Sequence, residues 1–396
     1  MELSIKHSNI SSSLTLAISA KAKKMQEDGI EVISFSVGEP DFNTPENIRN
    51  KAIDVINNNN IGYTAASGMP ALKEAICNKL KVDNNLCYNP KEIIVSNGAK
   101  HSLYNIFQAI CNPEDEVIIS SPYWVSYPEL VKMAGAKPIL IECDEANDFK
   151  YNIDDLKKNI NNKTKAILLN SPSNPTGSVY TLEELKAISK LAVENNIIVI
   201  SDEIYEKLIY DNQKHISIAS LNENIKELTI VVNGLSKCCA MTGWRIGYTA
   251  SNEKIATIMS NIQSHATSNP NTIAQYAAIE ALEGNQSAIE YMRNEFDERR
   301  KKMVELINDI PCISCNMPKG AFYVMVNISK VIGKKLGNCD MKSSMDFANY
   351  LLENSHVAVV PGIAFGNDNY IRLSYATSQE NIVEGLDRIK KALSNI

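Results

Sequence analysis

The sequence predicts an α/β protein with a largely parallel sheet in a large domain, joined to a smaller α+β domain. Helical and strand patterns alternate through most of the 396 residues, as expected where helices connect parallel strands. Several predicted strands are nearly continuous runs of Val, Ile and Leu, typical of strands covered on both faces. A chain of this length exceeds the size at which a single core stops growing, so two domains are expected.

The predicted elements follow one another in a regular order. Strands are predicted at 92–95, 116–120, 137–142, 166–170, 197–201 and 229–232. Helices are predicted between them at 71–81, 100–110, 124–133 and 182–194. Thr181 followed by Glu184 is a capping-box pattern that marks the start of the last of these helices.

After about residue 280 the pattern changes to that of the smaller domain. The predicted elements there are a charged helix at 288–308, a strand at 320–326, short strands near 357–360 and 370–374, and a closing helix at 379–393.

Composition argues against several classes of protein. A net charge of -6 argues against a nucleic-acid surface, and no apolar run is long enough to span a membrane. Nine scattered cysteines and a first segment without an apolar core favour the reducing cytoplasm over secretion. Cys312 and Cys315 have metal-like spacing, but no second pair accompanies them, so no metal is predicted.

Residues 236–248 are the most informative segment of the chain. They place Lys237 just beyond an apolar run and Arg245 eight positions later. A lysine amine condenses with an aldehyde, and a guanidinium group binds a phosphate through paired hydrogen bonds. The segment resembles the lysine motif of class I aminotransferases, which bind pyridoxal 5'-phosphate.

The resemblance extends from about Ser13 to the C-terminus and is closest to the bacterial aspartate/prephenate aminotransferase subgroup. It implies fold type I of the pyridoxal phosphate enzymes, with a mostly parallel seven-stranded sheet, working as a homodimer. The implied division is an N-terminal arm at 1–12, a large cofactor-binding domain at 46–284, and a discontinuous small domain at 13–45 and 285–396.

The resemblance assigns the phosphate site to two segments. Gly98, Ala99 and Lys100 follow a strand and open a helix, where backbone N–H groups favour an anion. Arg245 is expected to supply the second part of the phosphate site. Family members often carry a hydroxyl three residues before the lysine, where this chain has Gly234. Either one phosphate donor is missing here or Ser236 replaces it.

Two further residues are assigned to the cofactor ring. Asp202 ends a predicted strand, and the resemblance pairs its carboxylate with the pyridine nitrogen, which keeps the ring an electron sink. Tyr205 is expected to bond the ring oxygen. An aspartate in this setting could alternatively be a helix N-cap.

Three aromatic and amide side chains complete the implied cofactor site. Asn174 lies in a run of Asn/Ser-Pro turns, where an X-Pro bond can be cis, and is expected to contact both the ring oxygen and the substrate carboxylate. Trp124 is expected to stack on the ring, its alternative being a core tryptophan. Tyr63 is expected to reach the phosphate of the neighbouring subunit's cofactor.

The substrate side follows from the same resemblance. Arg372 lies among apolar neighbours in a predicted strand and should bind a carboxylate, because an unpaired buried arginine is unfavourable. The backbone at Gly38 should approach that carboxylate. Lys100, together with Ser13 and Thr15, is expected to bind a distal carboxylate, although Lys100 could also be an ordinary first-turn lysine.

The implied reaction is exchange of the amino group of L-aspartate, or a related amino acid, with 2-oxoglutarate by a ping-pong mechanism. Lys237 would act as Schiff-base lysine and as general acid and base. The alternatives are a prephenate, aromatic or alanine aminotransferase, and a C–S lyase of the same fold. A ligand-sensing regulator would need an additional DNA-binding domain, for which the resemblance leaves no room.

Overall fold

The computed structural model describes residues 10–12 and 14–394. Its helices are α1 (Leu14–Glu27), α2 (Glu46–Asn58), α3 (Pro70–Asn84), α4 (Ala99–Ile110), α5 (Ser126–Met133), α6 (Ile153–Asn159), α7 (Leu182–Asn195), α8 (Glu223–Leu228), α9 (Glu253–Ala266), α10 (Thr272–Glu283), α11 (Ser287–Asn308), α12 (Ser344–Ser355) and α13 (Gln379–Leu393). Its strands are β1 (Ile33–Ser34), β2 (Ile93–Ser96), β3 (Glu116–Ser121), β4 (Lys137–Glu142), β5 (Thr164–Asn170), β6 (Ile198–Asp202), β7 (Thr229–Gly234), β8 (Gly247–Ala250), β9 (Tyr323–Asn327), β10 (Lys335–Leu336), β11 (Cys339–Asp340), β12 (Val357–Ala358), β13 (Val360–Pro361) and β14 (Tyr370–Ser374).

A seven-stranded sheet forms the centre of the protein, in the order β2-β8-β7-β6-β5-β3-β4. Strand β8 is antiparallel to both of its neighbours, and the remaining pairs are parallel. Because β2 and β7 both oppose β8, they run in the same direction as the rest of the sheet. The predicted mostly parallel seven-stranded sheet is confirmed.

Both faces of this sheet are buried, which explains the apolar runs of its strands. Ile118 of β3, Ile167 of β5 and Val199 of β6 belong to one hydrophobic cluster. Their chain neighbours Leu168 and Ile200 belong to a second cluster. Since successive side chains of a strand point to opposite faces, the two clusters lie on opposite sides of the sheet.

A smaller antiparallel sheet, in the order β13-β14-β9, provides the other wall of the site. The N-terminal strand β1 pairs in parallel with β12, so an early part of the chain joins a late one. The backbone N–H of Ser374 donates to the carbonyl of Phe35 at 2.9 Å. This bond holds the segment after β1 beside β14, where it can reach the same cavity.

The predicted elements are confirmed with small shifts at their ends. The capping box at Thr181 and Glu184 is present at the start of α7. Helix α5 begins at Ser126 and leaves Trp124 in the preceding loop. The strand predicted near 357–360 is two short strands, β12 and β13, which join different sheets. The domain boundaries remain a prediction.

Within residues 10–12 and 14–394, no helix is both long enough and apolar enough to cross a membrane.

Candidate active site

A cavity of about 510 Å³ contains most of the predicted site residues, a volume in the range of sites for small molecules and cofactors. Its lining combines the ends of the parallel strands with the smaller sheet. The predicted residues that line it are Thr15, Gly38, Ala99, Lys100, Trp124, Asn174, Asp202, Tyr205, Ser236, Lys237, Arg245 and Arg372.

The amine of Lys237 lies inside this cavity, just beyond the end of β7. Its Nζ donates a hydrogen bond to the carbonyl oxygen of Gly38 at 2.6 Å and lies 5.9 Å from the ring centroid of Tyr205. Burial lowers the pKa of the amine to about 8, and the nearby Arg372 guanidinium acts in the same direction. A useful fraction of the amine is therefore neutral and nucleophilic in mildly alkaline solution.

Asp202 is a buried carboxylate at the carboxyl end of β6. The hydroxyl of Tyr127 donates to its Oδ2 at 2.7 Å, and the backbone N–H of Ile204 donates to Oδ1 at 3.2 Å. Burial raises its pKa to about 6, while both hydrogen bonds favour the charged form. No helix begins after Asp202 until α8, so the helix N-cap alternative is wrong. The arrangement suits a carboxylate that meets a cationic ligand group.

The start of α4 and the guanidinium group of Arg245 lie close together, as the predicted anion site requires. Gly98 has a φ of 84°, and a Cβ at this position would lie 2.5 Å from Nη2 of Arg245. Only glycine therefore lets the guanidinium approach the helix N-terminus so closely. Arg245 donates to the carbonyls of Thr242 and Asn97, and no carboxylate of the described residues pairs with it. Such a pair of donors matches a phosphate.

Crowding between strands explains why Gly234 replaces the family's hydroxyl residue. A Cβ at Gly234 would lie 2.8 Å from the carbonyl oxygen of Ile246 and 3.0 Å from Cα of Gly247. A side chain at this position would therefore force β7 and β8 apart. Ser236 is nearly buried and lines the cavity, which places a hydroxyl near the anion site from a different position.

Arg372 is a buried guanidinium without a carboxylate partner among residues 10–12 and 14–394. Only 3% of the residue is exposed. Its Nη1 donates to Oδ1 of Asn174 and its Nη2 to the carbonyl of Ser36, both at 3.0 Å, while Nε has no hydrogen-bond partner. Burial lowers the pKa of the guanidinium because the charge is poorly solvated. A ligand carboxylate would supply the missing partner.

Asn174 is fixed in front of Arg372 by its own turn. The Asn174–Pro175 peptide bond is cis, as the sequence allowed. The backbone N–H of Asn174 donates a hydrogen bond to Oδ1 of Asn170 at 2.8 Å. Its side-chain amide thereby lies between the end of β5 and the guanidinium.

Trp124 and Lys100 lie next to each other in the cavity lining. Trp124 packs edge-on against Tyr127 with ring centroids 5.2 Å apart, and it lines the cavity instead of lying in the core. The Nζ of Lys100 lies 5.0 Å from the Trp124 ring centroid. Partial burial and Arg245 lower the pKa of Lys100. In the part of the chain that the structure describes, no acidic residue pairs with Lys100.

Of the predicted residues that the structure describes, Gly98 and Tyr63 are not in the cavity lining. Gly98 lies beside it and acts through the close approach of Arg245. Tyr63 is 94% exposed and contributes nothing to the cavity of its own chain. Ser13 lies outside the described residues, whereas its neighbour Thr15 does line the cavity.

Sequence reasoning missed three contributors to the site. Tyr127 and Tyr323 line the cavity, and the carbonyl of Ser36 holds Arg372. Both tyrosines occupy positions that an apolar pattern assigns to the core, so the pattern could not predict that their hydroxyls contribute to the site. The contribution of a backbone carbonyl could not be predicted either, because every residue type has one.

The described residues contain one cluster with metal-ligand geometry, formed by Glu203, Glu206 and His215. His215 Nε2 lies 2.8 Å from Glu203, and Lys79 forms an ion pair with Glu206. Two cationic partners thus compensate the two carboxylates, and no metal is proposed there. The cysteines of the Cys312-x-x-Cys315 segment are free thiols.

Comparisons with known proteins agree with this geometry. The sequence model of the family "Aminotransferase class I and II" matches residues 30–389. An aspartate aminotransferase of Bacillus sp. (strain YM-2) is 51% identical over 96% of each chain, and a probable aspartate/prephenate aminotransferase of Aquifex aeolicus is 44% identical over 98% of each. The structure of the Thermus thermophilus aspartate aminotransferase with maleate superposes with a TM-score of 0.94 at 38% identity, covering 99% of this chain and 100% of that one.

The lowered pKa of Lys237 gives a pH-dependent prediction for the protein freed of ligands. Acylation of its amine should be half-maximal near pH 8, because burial lowers the pKa to about 8. Below that pH the amine is protonated and unreactive, and above it the rate reaches a plateau. Peptide mapping after brief exposure to an amine-selective acylating reagent measures this profile. The exposed Lys186 in the same digest gives the reference, and coincident profiles would contradict the prediction.

Proposed function

The chain belongs to the class I and II aminotransferase family, and from this premise we propose that it exchanges the amino group of L-aspartate with 2-oxoglutarate. Enzymes of this family use pyridoxal 5'-phosphate. The choice of substrate rests on two cations, Arg372 and Lys100, in the cavity that holds Lys237. Neither has an acidic partner among the residues that the structure describes. A dicarboxylic amino acid offers one carboxylate to each.

The residues present fit the cofactor. Gly98, Ala99 and Arg245 would hold its phosphate, with Ser236 as an additional donor. Asp202 would hold the ring nitrogen, since its carboxylate is buried, ionised at neutral pH and open to a cationic partner. The bound cofactor supplies an aldehyde carbon and an electron-withdrawing ring.

The ring itself would be held by side chains around the cavity. Trp124 offers a flat face at the cavity wall. Tyr205 and Asn174 offer donors for the ring oxygen. Asn174 also bonds Arg372, so it connects the cofactor side of the cavity with the substrate side.

Lys237 would perform the proton transfers. Its amine would hold the cofactor through the aldehyde carbon and would give up this place to the substrate's amino group. The free amine, with a pKa lowered by burial, would then serve as the general base and acid that moves the substrate Cα proton. The hydrogen bond from Nζ to the carbonyl oxygen of Gly38 places the amine beside a residue that is expected to approach the substrate carboxylate.

Arg372 would bind the α-carboxylate and Lys100 the distal carboxylate. Arg372 is buried, its Nε has no hydrogen-bond partner among the described residues, and its planar guanidinium group suits a bidentate carboxylate contact. Lys100 lies in the cavity lining, beside Trp124. Thr15 lines the same cavity and could assist at the distal carboxylate, and Ser13 is proposed with it on the resemblance alone.

Prephenate is the second candidate amino acceptor. The similar protein of Aquifex aeolicus carries both substrates in its name, aspartate and prephenate. Prephenate also has two carboxylates, so the same pair of cations would serve it. Direct comparison of the two acceptors in the second half of the reaction separates these possibilities.

The first test is a single turnover with L-aspartate in the absence of any oxo acid. The absorbance of the lysine-linked cofactor should disappear while a stoichiometric amount of oxaloacetate is formed, because the first half of a ping-pong exchange stops there. Lys237→Ala is the control and should give no conversion. An unchanged spectrum in the parent protein would contradict the proposal.

Lys100→Met tests the distal carboxylate. The variant keeps the apolar stem over Trp124 and removes the charge, so KM for aspartate should rise about tenfold or more, in line with roughly 1.5–3 kcal/mol for a charged hydrogen bond. KM for alanine should change little. Lys186→Met, on the exposed face of α7, is the matched control. An equal change in KM for both amino acids would remove Lys100 from this role.

We also propose that the protein is a homodimer with shared sites, in the cytoplasm. Its nine cysteines are free, which suits a reducing compartment. Tyr63 is almost fully exposed and lies outside its own cavity, as a residue that serves a neighbouring subunit should.

Mixing two inactive variants tests the shared site. Tyr63→Ala and Lys237→Ala should each have little activity at limiting cofactor concentration. Mixed dimers should regain it, because one of their two sites then has both an intact Lys237 and an intact Tyr63 from the other subunit. Activity after mixing and exchange of subunits measures this effect. Sedimentation as a monomer, or no recovery in confirmed mixed dimers, would contradict the proposal.

A further inference from the structure

Tyr323 lies at the point where three predicted site residues meet, although no motif drew attention to it. It is the first residue of β9 and is 1% exposed. Its hydroxyl lies 3.0 Å from the hydroxyl of Tyr205. The guanidinium carbon of Arg372 lies 4.3 Å from its ring centroid. A Cβ added to Gly38 would lie 3.2 Å from the Tyr323 hydroxyl, so the segment after β1 also packs against it.

Which of the two hydroxyls donates the hydrogen bond and which accepts it depends on the bound ligand. Each phenol has a single proton to donate and lone pairs to accept others. Tyr205 can donate to the cofactor's ring oxygen only if its proton is not given to Tyr323. In that state the proton between the two tyrosines comes from Tyr323. No other acceptor for the Tyr323 hydroxyl exists among residues 10–12 and 14–394.

The ring of Tyr323 acts on Arg372 from a second side. The guanidinium lies over the face of this ring, an arrangement that stabilises a cation by the ring quadrupole. Phe365 offers a second ring at 4.9 Å. With Nη1 and Nη2 held by Asn174 and Ser36, the rings fix the remaining orientation of the guanidinium plane.

We propose that Tyr323 is a positioning residue that couples the two halves of the site, its hydroxyl making Tyr205 the donor to the cofactor's ring oxygen and its ring holding Arg372 for the substrate carboxylate. This inference rests on the proposed function. It assigns the two roles to different parts of one side chain, so they can be separated by substitution.

Tyr323→Phe removes the hydroxyl and keeps the ring. A donor that no longer accepts a hydrogen bond is weaker, so more negative charge remains on the ring oxygen, and the proton on the adjacent Lys237 nitrogen is held more tightly. The pH midpoint of the absorbance change of the bound cofactor should therefore rise by about 0.5 pH unit. KM for aspartate should stay within about twofold, because the cation–π contact survives.

Tyr323→Leu removes both the hydroxyl and the aromatic ring. The pH midpoint of the cofactor's absorbance change should rise as in the phenylalanine variant. KM for aspartate should also increase, by about threefold to thirtyfold, because the cation–π contact is lost. Tyr88→Phe is the matched control, because the Tyr88 hydroxyl is buried without a partner and lies outside the cavity lining. The pH midpoint of its absorbance change and its KM for aspartate should equal those of the parent protein. Thermal unfolding of each loaded variant verifies that it is folded.

The outcomes separate this inference from the proposed function. A parent protein that forms no lysine-linked cofactor, or does not convert aspartate, would contradict the function. If the parent behaves as proposed, a midpoint in Tyr323→Phe equal to that of the parent would overturn the hydroxyl role. An equal rise of KM in the phenylalanine and leucine variants would overturn the ring role.

Discussion

Alignment of the parallel strands is the constraint on which the rest of the site depends. Asn170 ends β5, Asp202 ends β6, and Lys237 follows β7, so their side chains emerge at one edge of the sheet. The antiparallel β8 then brings Arg245, which lies just ahead of it, to the start of α4. Residues distant in the chain thus meet through regular pairing of strands, and the second sheet needs only to close the cavity.

Burial gives the ionisable groups of this cavity their chemical roles. It lowers the pKa of Lys237 to about 8 and raises that of Asp202 to about 6. At neutral pH the carboxylate is still ionised while part of the amine is neutral, which is the combination that a nucleophilic amine and an anionic ring partner require. Guanidinium groups bind anions through paired N–H donors, which suits Arg245 and Arg372 to the anion contacts proposed for them.

Hydrophobic patterns predicted six of the seven strands of the central sheet and six of the helices, but not α9, α10 or α12. They also failed where chemistry depends on single atoms. Strand β8 has the sequence Gly-Tyr-Thr-Ala, without the Val, Ile and Leu residues by which the other strands of the sheet were recognised, and it was missed. Tyr323 was placed correctly in a strand, but a pattern that counts tyrosine as apolar cannot show its hydroxyl facing Tyr205. Family resemblance supplied the roles of Lys237 and Asp202, which periodicity alone could not. Steric crowding at Gly234, visible only in three dimensions, explains the departure from the family's hydroxyl.

The incompletely partnered guanidinium of Arg372 has a consequence for selection and engineering. A buried cation with an unsatisfied donor lowers the stability of the fold, and a well-packed neutral side chain there would raise it. A bound carboxylate relieves this penalty, so occupancy by substrate and resistance to unfolding are linked. Screening variants of this protein for thermal stability alone would therefore favour loss of Arg372, and with it loss of the carboxylate site proposed for it.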